Sequence, residues 1–264
     1  MIPFITSMKQ AFDISGKTAI VTGGNGGIGL GIAKALAECG VNIAILCRNM
    51  DKAKNALEEL KQFGGKYQAF SCDLLNPESV KEAVDGAIAA FGDIDILVNN
   101  SGVAAGGYIL DQDRNLSDWH FVLNTDLTGM AQMTWEVGNR MRAAGKGGAI
   151  VNITSNAGAI VNKGLTISPY AVAKAGANHF TRCMAIELGQ YDIRVNAIAP
   201  GFIHAGFGAD PPPMMYDLVN EQQANKRLGE AIEIGATVVF LASPAAAMIT
   251  GEVLTVDSGY CLPA

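Results

Sequence analysis

Seven short apolar runs alternate with helical patterns from one end of this 264-residue chain to the other, and that alternation leaves few folds open. The runs are Thr18–Thr22, Asn42–Cys47, Gln68–Cys72, Ile94–Asn99, Ala149–Thr154, Arg194–Ala199 and Val253–Val256. A strand with one wet face would alternate apolar and polar residues; these are apolar on both faces. Between them lie helix patterns at Gly29–Cys39, Lys52–Phe63, Pro77–Phe91, Ser117–Ala144, Pro169–Leu188 and Ala231–Leu241. Strands buried on both sides and separated by helices run parallel, with helices covering each face. The expected fold is therefore α/β, a doubly wound parallel sheet of about seven strands, with residues 1–264 forming a single domain.

Composition supports a packed interior and narrows the partners. Apolar residues make up 49% and charged residues 17%, which excludes a disordered chain. With 25 acidic against 19 basic residues the net charge is −6, so neither nucleic acid nor a membrane surface is an expected partner. The five cysteines (Cys39, Cys47, Cys72, Cys183, Cys261) show no paired spacing and read as reduced, mostly buried thiols. The three histidines (His120, His179, His204) have no metal spacing, and no metal is expected. The first ten residues lack a charged region followed by a long apolar one, and no apolar run reaches membrane-spanning length, so a cytoplasmic location is the expectation.

Glycine is over-represented, at 31 residues with no repeat period. Its densest use is Thr22-Gly23-Gly24-Asn25-Gly26-Gly27-Ile28-Gly29, between the first strand and the first long helix. A dinucleotide pyrophosphate needs that context, because bare backbone N–H groups and a helix N-terminus must come close to the phosphates. Gly23, Asn25, Gly27, Ile28 and Gly29 are the candidate contacts; a merely structural turn is the alternative. Cofactor choice is written at the end of the second strand, where an acid would hold a free ribose hydroxyl. Here the residues are Arg48 and Asn49, so NADP(H) is favoured and NAD(H) remains possible. The alternative for Arg48 is a solvated surface charge. Asp73, followed by Leu74, ends the third strand and is a candidate adenine contact or a helix cap.

Tyr170 and Lys174 stand at i and i+4 in a helical pattern, and so share one face. A phenol titrates near 10, so base action near neutrality needs about 4 kcal/mol of help. A cation at about 4 Å supplies about that much at an effective dielectric of about 20, while burial opposes it. The positive ring of an oxidised nicotinamide would complete the balance. Upstream, Ser155 ends a buried strand, where its hydroxyl is placed to hold a carbonyl oxygen or to act as a turn residue. Residues 202–226, interrupted by Pro211–Pro213, form an excursion from the end of a strand and are the candidate substrate lid.

Taken together these residues resemble the short-chain dehydrogenase/reductase family across nearly the whole chain, with a look closest to sugar, polyol or gluconate-type dehydrogenases. Thr22-Gly23 through Gly27-Ile28-Gly29 is similar to its cofactor motif, and Asn99-Asn100-Ser101-Gly102 to its N-N-A-G strand end. Ser155, Tyr170 and Lys174 resemble its catalytic serine, tyrosine and lysine. Asn196 through Pro200-Gly201 resembles the segment over the nicotinamide. The resemblance implies a Rossmann-type fold, cofactor contacts at Asn100, Gly102, Tyr170, Lys174, Pro200, Gly201 and Ile203, and a homotetramer or homodimer. Residues lining the substrate are expected at Ser155, Val103, Val161, Tyr170, Phe202, Met214, Met215 and Tyr216, with His204 and Lys163 as polar contacts.

Three departures stand out. Seven residues after Trp119, where the family carries a catalytic asparagine, this chain has Asp126; a backbone carbonyl there survives the change, so a proton relay is still expected. Ser155 and Tyr170 are fifteen apart, which lengthens the loop Asn156–Ser168. The threonine expected after Pro200-Gly201 is Ala205. The implied activity is reversible hydride transfer between NADP(H) and a ketone or secondary alcohol, a small-molecule sugar, sugar acid or polyol. Hydroxysteroid or 3-oxoacyl reduction, an epimerase on the same fold, and a non-catalytic NADP(H)-binding sensor or scaffold stay open.

Overall fold

A computed structural model of the chain describes residues 5–105, 107–161, 167–204 and 213–262, and for Met214 the backbone alone. The strands are β1 (Thr18–Thr22), β2 (Asn42–Cys47), β3 (Tyr67–Ser71), β4 (Ile96–Asn99), β5 (Gly148–Ile153), β6 (Ile193–Pro200) and β7 (Val253–Val256). They form one parallel sheet in the order β3-β2-β1-β4-β5-β6-β7. The chain starts in the middle, winds outward to β3, and crosses back to lay β4 beside β1. Winding direction reverses there, which opens a crevice at the carboxyl ends of the strands.

Alternate residues of each strand feed two cores. Ala19, Val21, Ile43 and Ile45 pack with α2 (Gly27–Glu38), α3 (Met50–Leu60) and α9 (Ala231–Ala242) on one side. Ile20, Ala44, Leu46 and Leu97 pack with α4 (Pro77–Phe91), α6 (Gly129–Ala144) and α7 (Ser168–Gly189) on the other. Burial on both faces is why these strands read as continuous apolar runs. Asn76 caps α4 by accepting from the N–H groups of Glu78 and Ser79, with Pro77 in the first turn. Strand and helix ends differ from the sequence expectation by one or two residues; the last turn expected of the second helix, Lys61–Phe63, is a 3-10 turn.

Residues 117–144 do form one helical stretch, but it is not uniform. α5 (Ser117–Leu123) passes into a π turn at Asn124–Thr128 before α6 begins. Such one-turn widenings are frequent at functional sites. Two short elements complete the set: α1 (Met8–Ala11) and α8 (Pro213–Gln222), the latter within the excursion.

A buried polar network fixes α7 against the sheet. Asn99 and Asn152 face each other across β4 and β5, and the Asn99 Nδ2 donates to Asn152 Oδ1 at 2.9 Å and to Thr134 Oγ1 on α6 at 3.1 Å. Asn152 Nδ2 donates to Thr181 Oγ1 on α7 at 2.9 Å, and Thr181 donates onward to the Ala177 carbonyl. In a dry interior each of these bonds counts for more than its surface equivalent, and so does each one lost. At the other edge, Phe202, Val219 of α8 and Tyr260 make a small core, with the Phe202 and Tyr260 rings edge to face at 5.1 Å.

The cysteines are all free. Cys47 and Cys72 are buried, while Cys183 is exposed on α7, unlike the buried thiol expected of most. No helix among the described residues is long and apolar enough to cross a membrane.

Candidate active site

A cleft of about 760 Å3 runs along the carboxyl ends of the strands, over the reversal between β1 and β4. Its floor is the glycine turn. Gly23 adopts φ +67° and donates its N–H to the Leu46 carbonyl at 2.8 Å, which ties the turn to β2. Beneath it there is no room: a β-carbon on Gly29 would lie 2.3 Å from the Gly23 carbonyl oxygen. Above it the space is open, with nothing within 4 Å of the β-carbon position of Gly26. Gly26 is also the N-cap of α2 and offers no side-chain acceptor, so the first N–H groups of that helix are left for another partner. Uncapped N–H groups at the positive end of a helix, lining a cleft, suit the pyrophosphate of a dinucleotide.

The neighbouring strand ends continue the cleft. Asn100 Nδ2 donates to the Thr22 carbonyl at 3.0 Å, and the Thr22 hydroxyl accepts the N–H groups of Asn100 and Ser101, which locks β4 to β1. Arg48, Asn49, Asp73 and Leu74 line the cleft at the far side. Asn49 caps α3 by accepting the Lys52 N–H at 2.9 Å, and its carbonyl accepts from Asn25 Nδ2 at 3.2 Å. Asp73 accepts the Leu75 N–H at 3.1 Å. Arg48 forms no ion pair among the described residues, and Lys52 lines the cleft beside it. Lys52 was not singled out by sequence; its position one turn into α3 carries no motif.

At the opposite end stand Ser155, Tyr170 and Lys174. Ser155 follows β5, is 8% exposed, and accepts the Ala157 N–H at 3.1 Å. It is thus a turn residue and a cleft residue at once, since that bond leaves the hydroxyl proton unused. Tyr170 lies in the first turn of α7 and Lys174 one turn further, its Nζ 5.4 Å from the centre of the tyrosine ring. Lys174 is 3% exposed and donates to the Ile153 carbonyl at 3.2 Å.

Asp126 sits behind this group and is fully buried. Its Oδ1 accepts the Val103 N–H at 2.8 Å, and its Oδ2 lies 3.2 Å from Lys174 Nζ, an ion pair rather than an aligned hydrogen bond. Burial pushes the carboxyl above its usual range, while the Lys174 ammonium and the Val103 N–H pull it back. The sequence expectation placed the action of this residue at its backbone carbonyl; the side chain proves to be engaged with the lysine directly.

The expected substrate lining is only partly brought together. Val103, Phe202 and Met215 line the cleft, with Pro200, Gly201 and Ile203 beside them. Val161 is 90% exposed and outside it. His204 is also outside, exposed, with Nδ1 3.7 Å from Glu230 Oε1. Tyr216 is exposed and does not reach the cleft. Lys163, Ala205 and the Met214 side chain lie outside the described residues. Asn156, adjacent to Ser155 and 5% exposed, lines the cleft without having been expected.

A doubly wound sheet with a glycine-floored cleft and a Ser–Tyr–Lys set at its far end defines a nicotinamide-dependent oxidoreductase class, and comparison with known proteins agrees. Residues 23–261 match the family described as enoyl-(acyl carrier protein) reductase. The 7alpha-hydroxysteroid dehydrogenase of Escherichia coli (strain K12) is 35% identical over 247 residues, covering 93% of this chain and 94% of that protein. The NADP-dependent mannitol dehydrogenase of Alternaria alternata is 34% identical over 265 residues, covering 99% and 98%. The crystal structure of a short-chain type dehydrogenase/reductase from Mycobacterium marinum superposes with a TM-score of 0.93 at 32% identity, over 97% of this chain and all of that one. The chain belongs to the short-chain dehydrogenase/reductase family.

Proposed function

We propose that the protein catalyses reversible hydride transfer between NADP(H) and a secondary alcohol or ketone of the polyol or sugar class. The observation that carries this reading is the presence of Ser155, Tyr170 and Lys174 in the same cleft as the uncapped N-terminus of α2. The nicotinamide, when bound, supplies the acceptor or donor of hydride. The uncapped backbone N–H groups at the start of α2 hold the pyrophosphate, and Lys174 holds the nicotinamide ribose. Ser155 donates its hydroxyl proton to the reacting oxygen and orients it. Tyr170 takes the alcohol proton, or returns it to the ketone, at that same oxygen. Asn100, Gly102, Pro200, Gly201 and Ile203 form the walls against which the cofactor lies.

Preference for NADP(H) over NAD(H) is supported by Arg48 and Lys52 at one end of the cleft and by the absence of an acid in Leu46–Asn49. The named cofactor of the mannitol-oxidising relative agrees with this preference. Phe202 and Met215 at the cleft support the excursion 202–226, of which residues 205–212 lie outside the described ones, as a cover over the substrate end. A homotetramer or homodimer is supported by apolar side chains left exposed on α6 and α7: Trp135, Val172 and Ile186.

A second reading, oxidation of a hydroxysteroid, is favoured by the apolar character of Phe202 and Met215 and by the steroid-oxidising relative. A substrate panel decides between them. NADPH or NADP+ turnover is measured with ketoses and polyols, hydroxysteroids and 3-oxoacyl thioesters, and repeated with NADH and NAD+. Turnover of polyols or ketoses is the expected result; turnover confined to steroids establishes the second reading. Silence across the panel with intact cofactor binding overturns both and leaves a sensor or scaffold.

A further inference from the structure

The side chains of Asp126 and Lys174 are 0% and 4% exposed, and the loop after β4 is shaped around their charged ends. A β-carbon on Gly102 would lie 2.8 Å from Asp126 Oδ2 and 3.2 Å from Lys174 Nζ, so the pair fills the space that a side chain there would need. Asp126 is delivered to this place by the π turn Asn124–Thr128, and the Val103 N–H holds its second oxygen. From α7 the titratable groups turned this way are Lys174 and Tyr170, the latter with its ring 5.4 Å from Nζ. Among the described residues, the loop after β4 brings only the Val103 N–H to bear on the carboxylate, and α5 and α6 bring no charge to it.

An isolated ammonium beside a phenol favours the phenolate over its whole reach. With a carboxylate 3.2 Å from that ammonium, the phenol faces a dipole, whose field falls off faster than that of a charge. We propose that Asp126 is a positioning residue that sets the working pH of the site. By pairing with Lys174 it withholds part of the ammonium's field from Tyr170, so that removing an alcohol proton requires a more alkaline solution than an asparagine at 126 would. This inference rests on the hydride-transfer reading above. It gives a chemical meaning to Asp126 where the resemblance read from the sequence implies an asparagine: the alcohol's O–H proton still passes to the Tyr170 oxygen, at a different pH.

The test compares the full-length enzyme with Asp126→Asn in two ways. Initial rates of alcohol oxidation are followed against pH, and the acid limb of the variant is expected to move down by about one pH unit, the size of effect that removal of one nearby buried charge produces. In the cofactor-free protein, ultraviolet difference titration against Tyr170→Phe isolates the phenol, and its ionisation is expected at lower pH in Asp126→Asn. Coincident acid limbs and coincident phenol titrations overturn the inference. If the wild type turns over no substrate the hydride-transfer reading has failed, and the phenol titration still decides the electrostatic claim. Should Asp126→Asn not fold, 13C NMR of the Asp126 carboxyl in the wild type and in Lys174→Met replaces it: a rise in the carboxyl titration on loss of the lysine supports the pair, and an unchanged titration overturns it.

Discussion

Gly29 lies directly under Gly23, close enough that a β-carbon on Gly29 would stand 2.3 Å from the Gly23 carbonyl oxygen. The contact is with backbone, which cannot swing aside as a flexible side chain can. In an ordinary helix Gly→Ala gains about 1 kcal/mol. At this position the sign reverses, because the turn must lift toward the cleft. Gly29→Ala is expected to weaken NADPH binding by at least about tenfold and to lower the melting temperature, read by fluorescence titration and calorimetry. Unchanged affinity would remove the glycine turn from the cofactor site.

Tyr170→Phe retains the ring and deletes the oxygen proposed to exchange the proton. Turnover is expected to fall by about three orders of magnitude or more, while NADPH affinity stays within about threefold of wild type. Stopped-flow and equilibrium titration separate the two quantities. A variant that retains full activity would take the proton transfer away from this residue.

Arg48 pairs with no carboxylate among the described residues and lines the end of the cleft, as does Lys52. A charge-assisted bond to a phosphate is worth about 2 kcal/mol, or about thirtyfold in affinity. Arg48→Ala is therefore expected to weaken NADPH by about that factor and to leave NADH nearly unaffected. Equal weakening of both cofactors would mean that Arg48 does not read the ribose phosphate.

Asn152 holds four elements together through Asn99 and Thr181, with no access to solvent. Asn152→Leu is close in size yet removes one of the two partners of the Asn99 amide and one of the two of the Thr181 hydroxyl. A loss of about 3 kcal/mol in urea unfolding is expected, against less than 1 for the surface replacement Lys54→Ala.

At the start of α9, Arg227 grips Glu233 with two bonds of 2.7 and 2.8 Å, and Glu233 also accepts the Glu230 N–H. The guanidinium first, and that N–H second, hold the Glu233 carboxyl down to about 2 from its ordinary 4.5. A carboxyl depressed by folding stabilises the native state above its unfolded value and loses that contribution as the pH falls toward the folded one. Glu233→Gln is thus expected to be less stable than wild type above pH 4.5, with the two curves converging as the pH approaches 2. The side chain is 42% exposed, so solvent screening holds the gap to about 1 kcal/mol or less. Thermal melts across that range measure it.

The sheet was legible in the sequence because burial on both faces writes the central strands β1, β2 and β4 as apolar runs, while the half-buried edge strands β3 and β7 carry a weaker version of the pattern, and the turn residues between them write the helices' ends. β1, β2 and β7 begin and end where that pattern says, and Asn76-Pro77 marks the start of α4. Helical spacing likewise placed Tyr170 and Lys174 on one face. The strand order, the π turn that breaks residues 117–144, and the placement of Val161 and His204 outside the cleft left no such trace. They depend on contacts between segments far apart in the chain.

Local periodicity and turn chemistry, carried by neighbours a few residues apart, therefore determined the class of fold, the glycine floor and the tyrosine–lysine spacing without help from coordinates. Only the tertiary structure decided that Asp126 reaches across to Lys174 and that Lys52 joins Arg48 at the cleft. The physical reason is that charge–charge contact falls off with distance in space, and a pair 48 residues apart has no spacing rule that brings it to 3.2 Å.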